Sequence, residues 1–157
     1  EIENNEDGTH DPLEYLLASH LREWDGQRCE IEQMGDYIFL SPGWSFPESW
    51  GVWSEGDESL LRFYPIPPEQ DIEQVELCFE GQYYGTGGQT RVEVCGQSVG
   101  EFDLTQCTVR VPAGLFRGPD VKIRLRHNNP QSPRELEGVG DDRRIQYGLK
   151  ALAWNAL

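Results

Sequence analysis

The sequence contains few of the histidines and cysteines from which zinc sites in proteins are commonly built. It has three histidines, which are widely separated, and four cysteines, none of which forms a CxxC pair. A structural zinc site is therefore not expected. Cysteines this sparse in a chain of 157 residues do not require an oxidising compartment either.

Basic residues and long apolar runs are also scarce. The chain contains 13 Lys and Arg and 28 Asp and Glu, so its net charge is −15. Electrostatic repulsion opposes the approach of such a chain to nucleic acid or an anionic membrane, so neither is an expected partner. No apolar stretch approaches the roughly 20 residues that a bilayer-spanning helix needs, and we predict no membrane span. A neutral polymer, a cation or a basic partner is compatible with the charge.

Recognisable catalytic motifs are absent as well. The sequence contains no GxSxG, HExxH or phosphate-binding loop, and the Gly-rich segment 81–90 lacks the Lys and following helix of a P-loop. Paired carboxylates for glycoside hydrolysis need a cleft that desolvates one of them. A small domain with solvated acids seldom provides that cleft. We therefore predict no catalytic residues, with a small glycan-active enzyme as the less favoured alternative.

Acidic residues in predicted loops are the candidates for a cation site. Calcium is bound by six to eight oxygens, largely from loops, but these acids follow no EF-hand pattern. We predict no cofactor and no metal ligands, with a structural calcium ion as the alternative. The loop acids in question are Glu55, Asp57, Glu58, Asp141 and Asp142.

Most of the chain alternates apolar and polar residues with a period of two, which is typical of strands that have one buried face. Turn residues separate the strand candidates, and nothing resembles a βαβ repeat. The pattern predicts an all-β fold, an antiparallel β-sandwich of jelly-roll type with a short N-terminal helix. The strand candidates are 28–33, 36–41, 58–64, 72–80, 90–95, 98–104, 106–112, 120–127 and 144–154.

The two faces of the predicted strands differ in character. Alternate residues such as Val92, Ile123 and Leu125 form a β-branched and aliphatic core face. The residues between them carry charges of both signs, which pair across neighbouring strands when those strands align. We interpret the charged face as a solvated outer surface. The alternative is the floor of a groove that recognises hydroxyl groups.

The N-terminal part of the chain differs from the rest. Residues 1–10 are acidic and polar and are predicted to form a disordered lead. Residues 11–25 are predicted to form a helix with an apolar stripe, because Asp11 can cap it and Pro12 suits its first turn. The β-sandwich module is predicted to span residues 28–157.

Tryptophan is concentrated in one segment, residues 43–56, which reads GWSFPESWGVWSEG. Indole suits either a packed corner or a surface on which a sugar ring lies, and the sequence leaves both open. Sugar binding needs aromatic rings for C–H faces and polar side chains for vicinal hydroxyls. The predicted ligand-binding residues are Glu48, Trp50, Trp53, Tyr83, Tyr84 and Arg143.

Two segments together resemble a known family. The first is the Gly- and Trp-rich run from Gly43 to Gly56, and the second runs from Ser132-Pro133 through Asp141-x-Arg143 to Gly148-Leu149. The pair is similar to the β-sandwich accessory modules appended to bacterial glycosyltransferases and polysaccharide assembly proteins, over roughly residues 40–157. The resemblance implies a carbohydrate-binding-like module and makes 11–25 a linker helix to a preceding domain. It favours the cytoplasmic face of a bacterial membrane-associated assembly, although the compartment cannot be read from the sequence itself.

We therefore predict a non-catalytic module that binds or positions a neutral or amino-sugar glycan beside a parent glycosyltransferase domain. The alternative is a structural or protein-interaction domain of a polysaccharide assembly protein. It would bind its partner through the acidic surface or through the apolar stripe of the 11–25 helix. The identity of the glycan is not determined by the sequence.

Overall fold

The protein is a sandwich of two antiparallel β-sheets, seen in a computed structural model that describes residues 21–157. Its elements are β1 (Cys29–Glu30), α1 (Ile31–Tyr37), β2 (Ile38–Leu40), β3 (Val52–Trp53), β4 (Glu58–Phe63), β5 (Gln74–Tyr83), β6 (Thr90–Val94), β7 (Gln97–Phe102), β8 (Gln106–Pro112), a 3-10 turn (Ala113–Phe116), β9 (Val121–His127), α2 (Pro133–Glu137) and β10 (Tyr147–Ala156).

The first sheet has the strand order β1-β10-β5-β8, with β3 also pairing β10. The long strands β5 and β10 run from Tyr83 opposite Tyr147 to Val75 opposite Ala156. A register shift between Leu149 and Ala151 interrupts this pairing. Because β3 pairs with β10 at Gly148 and Leu149, the Trp-rich segment is attached directly to the start of the last strand.

The second sheet has the strand order β2-β4-β9-β6-β7. From β7 onward, consecutive strands alternate between the two sheets, as in a jelly roll. The predicted antiparallel sandwich of jelly-roll type is thereby confirmed. It follows from the period-two pattern, since each strand can bury only one face against the opposite sheet.

The core between the sheets is formed by the apolar residues of the alternating pattern. Val92, Ile123 and Leu125 are fully buried, as predicted. The large rings of Trp24, Phe63 and Phe116 fill the space between strands, with Trp24 packed edge-on against Phe63 at 4.9 Å between ring centroids. Edge-to-face contacts of this kind add to the free energy that burial supplies.

The N-terminal region departs from the predicted elements. Only Cys29–Glu30 of the predicted strand 28–33 is a strand, and α1 begins at Ile31. The helix starts there because the Gln33 side chain accepts a hydrogen bond from the Glu30 backbone N–H at 2.9 Å, which satisfies one helix-end donor. This helix was not predicted because its seven residues show no clear apolar period.

The predicted helix 11–25 falls mostly outside the described residues, as does the predicted lead 1–10. Its described part, residues 21–25, is not helical. Trp24 instead forms a bridge with Pro65, and its buried ring belongs to the core of the sandwich. Within residues 21–157, no helix has the length and hydrophobicity to cross a bilayer.

Candidate functional site

The Trp-rich segment forms a loop that lies against the start of β10. Glu48 and Gly51 face each other across a tight turn, with the Glu48 N–H donating to the Gly51 carbonyl at 2.7 Å and the reverse bond at 3.2 Å. Gly51 has φ of +155°, and a Cβ there would collide with the Leu149 carbonyl oxygen. Only glycine allows this approach, so the turn carrying Trp50 packs directly on the strand backbone.

Three aromatic side chains form a continuous patch, which we call the aromatic surface: Trp50, Trp53 and Tyr84. The ring centroids of Trp50 and Trp53 are 4.9 Å apart at 68°, and those of Trp53 and Tyr84 are 6.1 Å apart at 78°. All three side chains are half-buried. They are anchored on one side by the strands and exposed on the other, which suits a contact surface better than a closed core.

Gly148 is the residue on which the indole rings of Trp50 and Trp53 pack. A Cβ at this position would lie 2.7 Å from the Trp50 ring and 3.0 Å from the Trp53 ring. The absence of a side chain at Gly148 therefore lets both rings lie against the backbone of β10. The position of the aromatic surface depends on this buried glycine as well as on the rings themselves.

Trp44, the third tryptophan of the segment, has a different role. Its indole N–H donates to the Leu60 carbonyl at 2.8 Å, and its ring packs against the hydrophobic core. This bond ties the loop to β4. Of the two interpretations that the sequence left open for tryptophan, Trp44 fits the packed corner.

Arg143 ties the C-terminal loop to the Trp-rich loop. Its guanidinium binds both carboxylate oxygens of Asp141, at 2.9 and 2.6 Å, and donates to the Ser45 hydroxyl at 2.7 Å. The hydrogen bonds from Arg143 lower the pKa of Asp141 to about 2. Asp141, together with Glu48 and Glu55, raises the pKa of Arg143. Arg143 and Glu48 thus lie in one charged cluster beside the loop. Both are predicted site residues, and the structure brings them together.

Tyr83 is not brought to the aromatic surface. Its hydroxyl bonds the Thr90 hydroxyl at 2.8 Å and accepts the Leu104 N–H at 3.0 Å. Its ring lies 5.1 Å from the buried ring of Tyr147, and burial raises its pKa. Tyr83 is therefore a half-buried structural residue that packs against the core.

Tyr84 brings residues to the site that the sequence analysis did not include. Its hydroxyl donates to the Glu137 carboxylate at the end of α2, and this bond raises the pKa of Tyr84 to about 12. Leu136 lies on the same helix, is 46% exposed and sits beside Gly85. Ser132-Pro133 is the sequence signal that could have predicted this helix. Ser132 is its N-cap and accepts a hydrogen bond from the Glu135 N–H at 3.1 Å.

Gln146 holds the loops behind the aromatic surface together. Its buried amide accepts the Asn129 N–H at 2.9 Å and donates to the Gly87 carbonyl at 2.8 Å and to Asn128 at 2.6 Å. One residue thereby joins the Gly-rich loop, the loop after β9 and the last strand. Because a buried amide is costly to leave unpaired, this set of bonds specifies the loop arrangement.

The loop acids considered for calcium do not converge. Asp57 pairs with Arg144 at 3.3 Å, Glu58 with Arg126 at 3.3 Å, and Asp141 with Arg143 at 2.6 Å. Among residues 21–157, no group of three or more His, Cys, Asp or Glu is placed to hold a metal ion. Three of the five acids are instead held in separate acid–arginine pairs.

No protein-family model matches the chain, and a search of curated proteins finds no match. Solved structures with a similar backbone include the CBM36-1 domain of a multidomain xylanase from the hindgut metagenome of Trinervitermes trinervoides. Its TM-score is 0.49 at 9% identity, over 83% of this chain and 97% of that one. A carbohydrate-binding module CBM36 in complex with calcium and xylotriose has a TM-score of 0.42 at 14% identity, over 82% and 99%.

A family 35 carbohydrate-binding module from Clostridium thermocellum has a TM-score of 0.42 at 10% identity, over 77% of this chain and 89% of that one. Similarities of this size do not transfer a function or a binding site. We therefore infer the function from the side chains of this chain.

Proposed function

We propose that this chain is a non-catalytic glycan-binding module and that its aromatic surface contacts a neutral or amino-sugar glycan. The observation that carries the proposal is the continuous patch of three half-buried rings with Glu48 and Glu137 beside it. Indole and phenol rings supply faces for the C–H groups of a sugar, and carboxylates accept hydrogen bonds from its hydroxyls. Arg143, held by Asp141, positions the loop that carries Glu48.

The angles between the rings restrict the shape of the glycan. Trp53 meets both Trp50 and Tyr84 nearly edge-on, so the three rings form a stepped surface rather than one plane. A flat crystalline polysaccharide needs coplanar rings for stacking. The stepped surface instead favours a soluble glycan, with one sugar on a ring face and its neighbour against the adjacent ring.

The charge around the aromatic surface favours some sugars over others. Glu48, Glu55 and Glu137 contribute negative charge, and Arg143 is already paired with Asp141. Like-charge repulsion therefore disfavours uronates and phosphorylated sugars at this surface, whereas a protonated amino sugar is attracted. Single modules of this size bind weakly, and we expect a Kd on the order of 0.1–1 mM, about 4–5.5 kcal/mol.

The proposal includes a parent protein. The resemblance of segments 43–56 and 132–149 to modules appended to bacterial glycosyltransferases supports a place beside such an enzyme, at the cytoplasmic face of a bacterial membrane-associated assembly. The domain composition of the full-length gene product tests this part directly. A glycosyltransferase domain there supports it, and an unrelated domain contradicts it.

Binding of neutral and amino-sugar oligosaccharides, measured by glycan array and titration calorimetry, tests the function. We expect Trp53→Ala to weaken binding by about tenfold or more, or about 1.4 kcal/mol, with a modest loss of thermal stability. Tyr37→Ala is the matched control, because Tyr37 is also half-buried but lies in α1. A loss of about 3–5 kcal/mol in stability with unchanged binding would instead identify Trp53 as a core residue and contradict the proposal.

Gly148→Ala provides a second test that changes no solvent-facing group. The added methyl would lie 2.7 Å from the Trp50 ring, which is exposed on its other side and can shift toward solvent. Glycan binding should fall while the fold persists.

A protein-interaction domain is the second candidate function, and the exposed side chains of Leu136 and Val139 are the observation that favours it. In that case Trp53→Ala abolishes co-purification with the parent domain, and no oligosaccharide binds.

A further inference from the structure

A second candidate site lies on the outer face of the second sheet, away from the aromatic surface. A groove of about 420 Å³ crosses strands β4, β9 and β6. The register aligns its lining residues in two rows across the strands. One row contains Ser41, Leu60, Arg124 and Glu93, and the other contains Arg62, Lys122 and Cys95.

The acids of the groove already have arginine partners. Asp120 pairs with Arg62 at 3.2 Å, and Glu93 pairs with Arg126 at 2.5 Å. Lys122 and Arg124, in contrast, make no ion pair and no side-chain hydrogen bond with any residue in the described range 21–157. Among residues 21–157, these two half-buried cations therefore have no salt-bridge partner, in a protein of net charge −15.

Ser41 provides an independent observation at the same place. It lines the groove directly opposite Leu60, is only 9% exposed, and its hydroxyl has no hydrogen-bond partner among residues 21–157. An unsatisfied buried hydroxyl costs free energy, and native proteins leave few of them. A ligand oxygen in the groove would satisfy it.

We propose that this groove binds a sugar acid, with its carboxylate between Lys122 and Arg124 and a hydroxyl on Ser41. The two cations lie two positions apart on one strand, about 7 Å, which suits one carboxylate bridged by both long side chains. The remaining carboxylate oxygens of Glu93 and Asp120 accept hydrogen bonds from other hydroxyls of the sugar. Volumes of roughly 300–1,000 Å³ hold small ligands, and the groove is at the lower end, so one or two sugar rings fit.

This site is independent of the proposed function of the aromatic surface and has the opposite charge preference. The carboxylates around the aromatic surface disfavour uronates there, whereas the cations of the groove favour them. A glycan that carries both neutral and acidic sugars would engage both. Failure of one site leaves the other intact, and the two are followed by separate variants.

Amide NMR titration with digalacturonate tests the proposal. We expect digalacturonate to change the amide chemical shifts of residues 41, 60–62, 93–96 and 120–124. Xylobiose should cause no change of comparable size at these residues. The double variant Lys122→Gln/Arg124→Gln should weaken binding by about tenfold or more. The matched control is Arg110→Gln/Lys150→Gln, which removes the same charge from exposed positions on the other sheet. It should bind digalacturonate as the unsubstituted protein does.

Ser41→Ala separates binding from folding. Removing an unsatisfied hydroxyl should leave the Tm equal or higher while binding of digalacturonate weakens. Absence of shifts in the groove overturns the proposal, and so does equal weakening by the control double variant. If inorganic phosphate or acetate binds as tightly as digalacturonate, the groove is a simple anion site and the sugar-acid assignment is wrong.

Discussion

His127 lies at the end of β9, is 6% exposed and holds the Trp-rich loop in place through Ser59. The Ser59 hydroxyl donates to the Gly43 carbonyl at 2.5 Å, so it accepts at 2.9 Å from Nε2 of His127. The ring therefore carries its proton on Nε2. Its Nδ1 is buried with no partner among residues 21–157. Desolvation of this neutral ring lowers the pKa of His127 to about 4.

The low pKa of His127 predicts a pH-dependent stability. Between pH 6.5 and 4 the unfolded chain binds a proton at this position and the folded chain does not, so stability falls as the pH is lowered through that window. The expected loss is on the order of 2–3 kcal/mol at about pH 4, measured by urea unfolding at a series of pH values.

His127→Gln is the control for this prediction, because its amide nitrogen reaches Ser59 as Nε2 does and cannot be protonated. The variant should lose the slope between pH 6.5 and 4. It should keep the loss at lower pH that comes from carboxylates such as Asp141, whose pKa is lowered to about 2. An unchanged slope in the variant would contradict the assignment to His127.

At the scale of elements, the faces of each strand follow from alternation. In β8, Val109 is 2% exposed and faces the core, and its neighbour Thr108 is exposed on the outer face of the sheet. The same alternation was used to predict this strand from the sequence, and its predicted bounds 106–112 are those of the structure. Side-chain direction in a strand is a local property, so no knowledge of the rest of the fold was needed.

Two adjacent substitutions in β8 test this face assignment. Val109→Asp buries an unpaired carboxylate in the core and should prevent folding at neutral pH. Thr108→Asp places the same group in solvent and should change stability by no more than about 0.5 kcal/mol. Circular dichroism and thermal melting report both. A cooperative melt for Val109→Asp would show that the face assignment is wrong.

Short helices are the elements that the sequence predicted least well. α1 and α2 contain seven and five residues, too few for an apolar period to be visible. Their ends are set by single capping bonds, such as the one from Glu135 N–H to Ser132. α2 matters for the site because it presents Glu137 to Tyr84.

At the scale of the whole molecule, the acidic and basic parts of the chain are brought together. Residues 117–157 carry eight bases and five acids, whereas the rest of the chain is strongly acidic. Folding places Arg126 between Glu58 and Glu93, and Arg144 beside Asp57. These pairs are largely exposed, so each contributes little to stability. The remaining charge of −15 still repels itself.

The excess of negative charge predicts that salt stabilises the protein. Raising the ionic strength from about 0.01 to 0.15 M shortens the screening length from about 30 to 8 Å and weakens the self-repulsion more than the exposed pairs. The Tm measured by calorimetry should rise by a few degrees. Equal effects of NaCl and KCl show that ionic strength is responsible, and a falling Tm would mean that the ion pairs dominate.

The sequence by itself determined the fold class, most strand positions and the core residues, because alternation is read locally along each strand. It also singled out Trp50, Trp53 and Glu48 from their density. It could not separate Tyr83 from Tyr84. Pairing with β10 places Tyr83 opposite Tyr147 and packs it against the core, whereas Tyr84 follows β5 and contacts Trp53. Only the tertiary structure decides such contacts, because they join loops that are distant in sequence and whose approach depends on strand register and on a glycine such as Gly148.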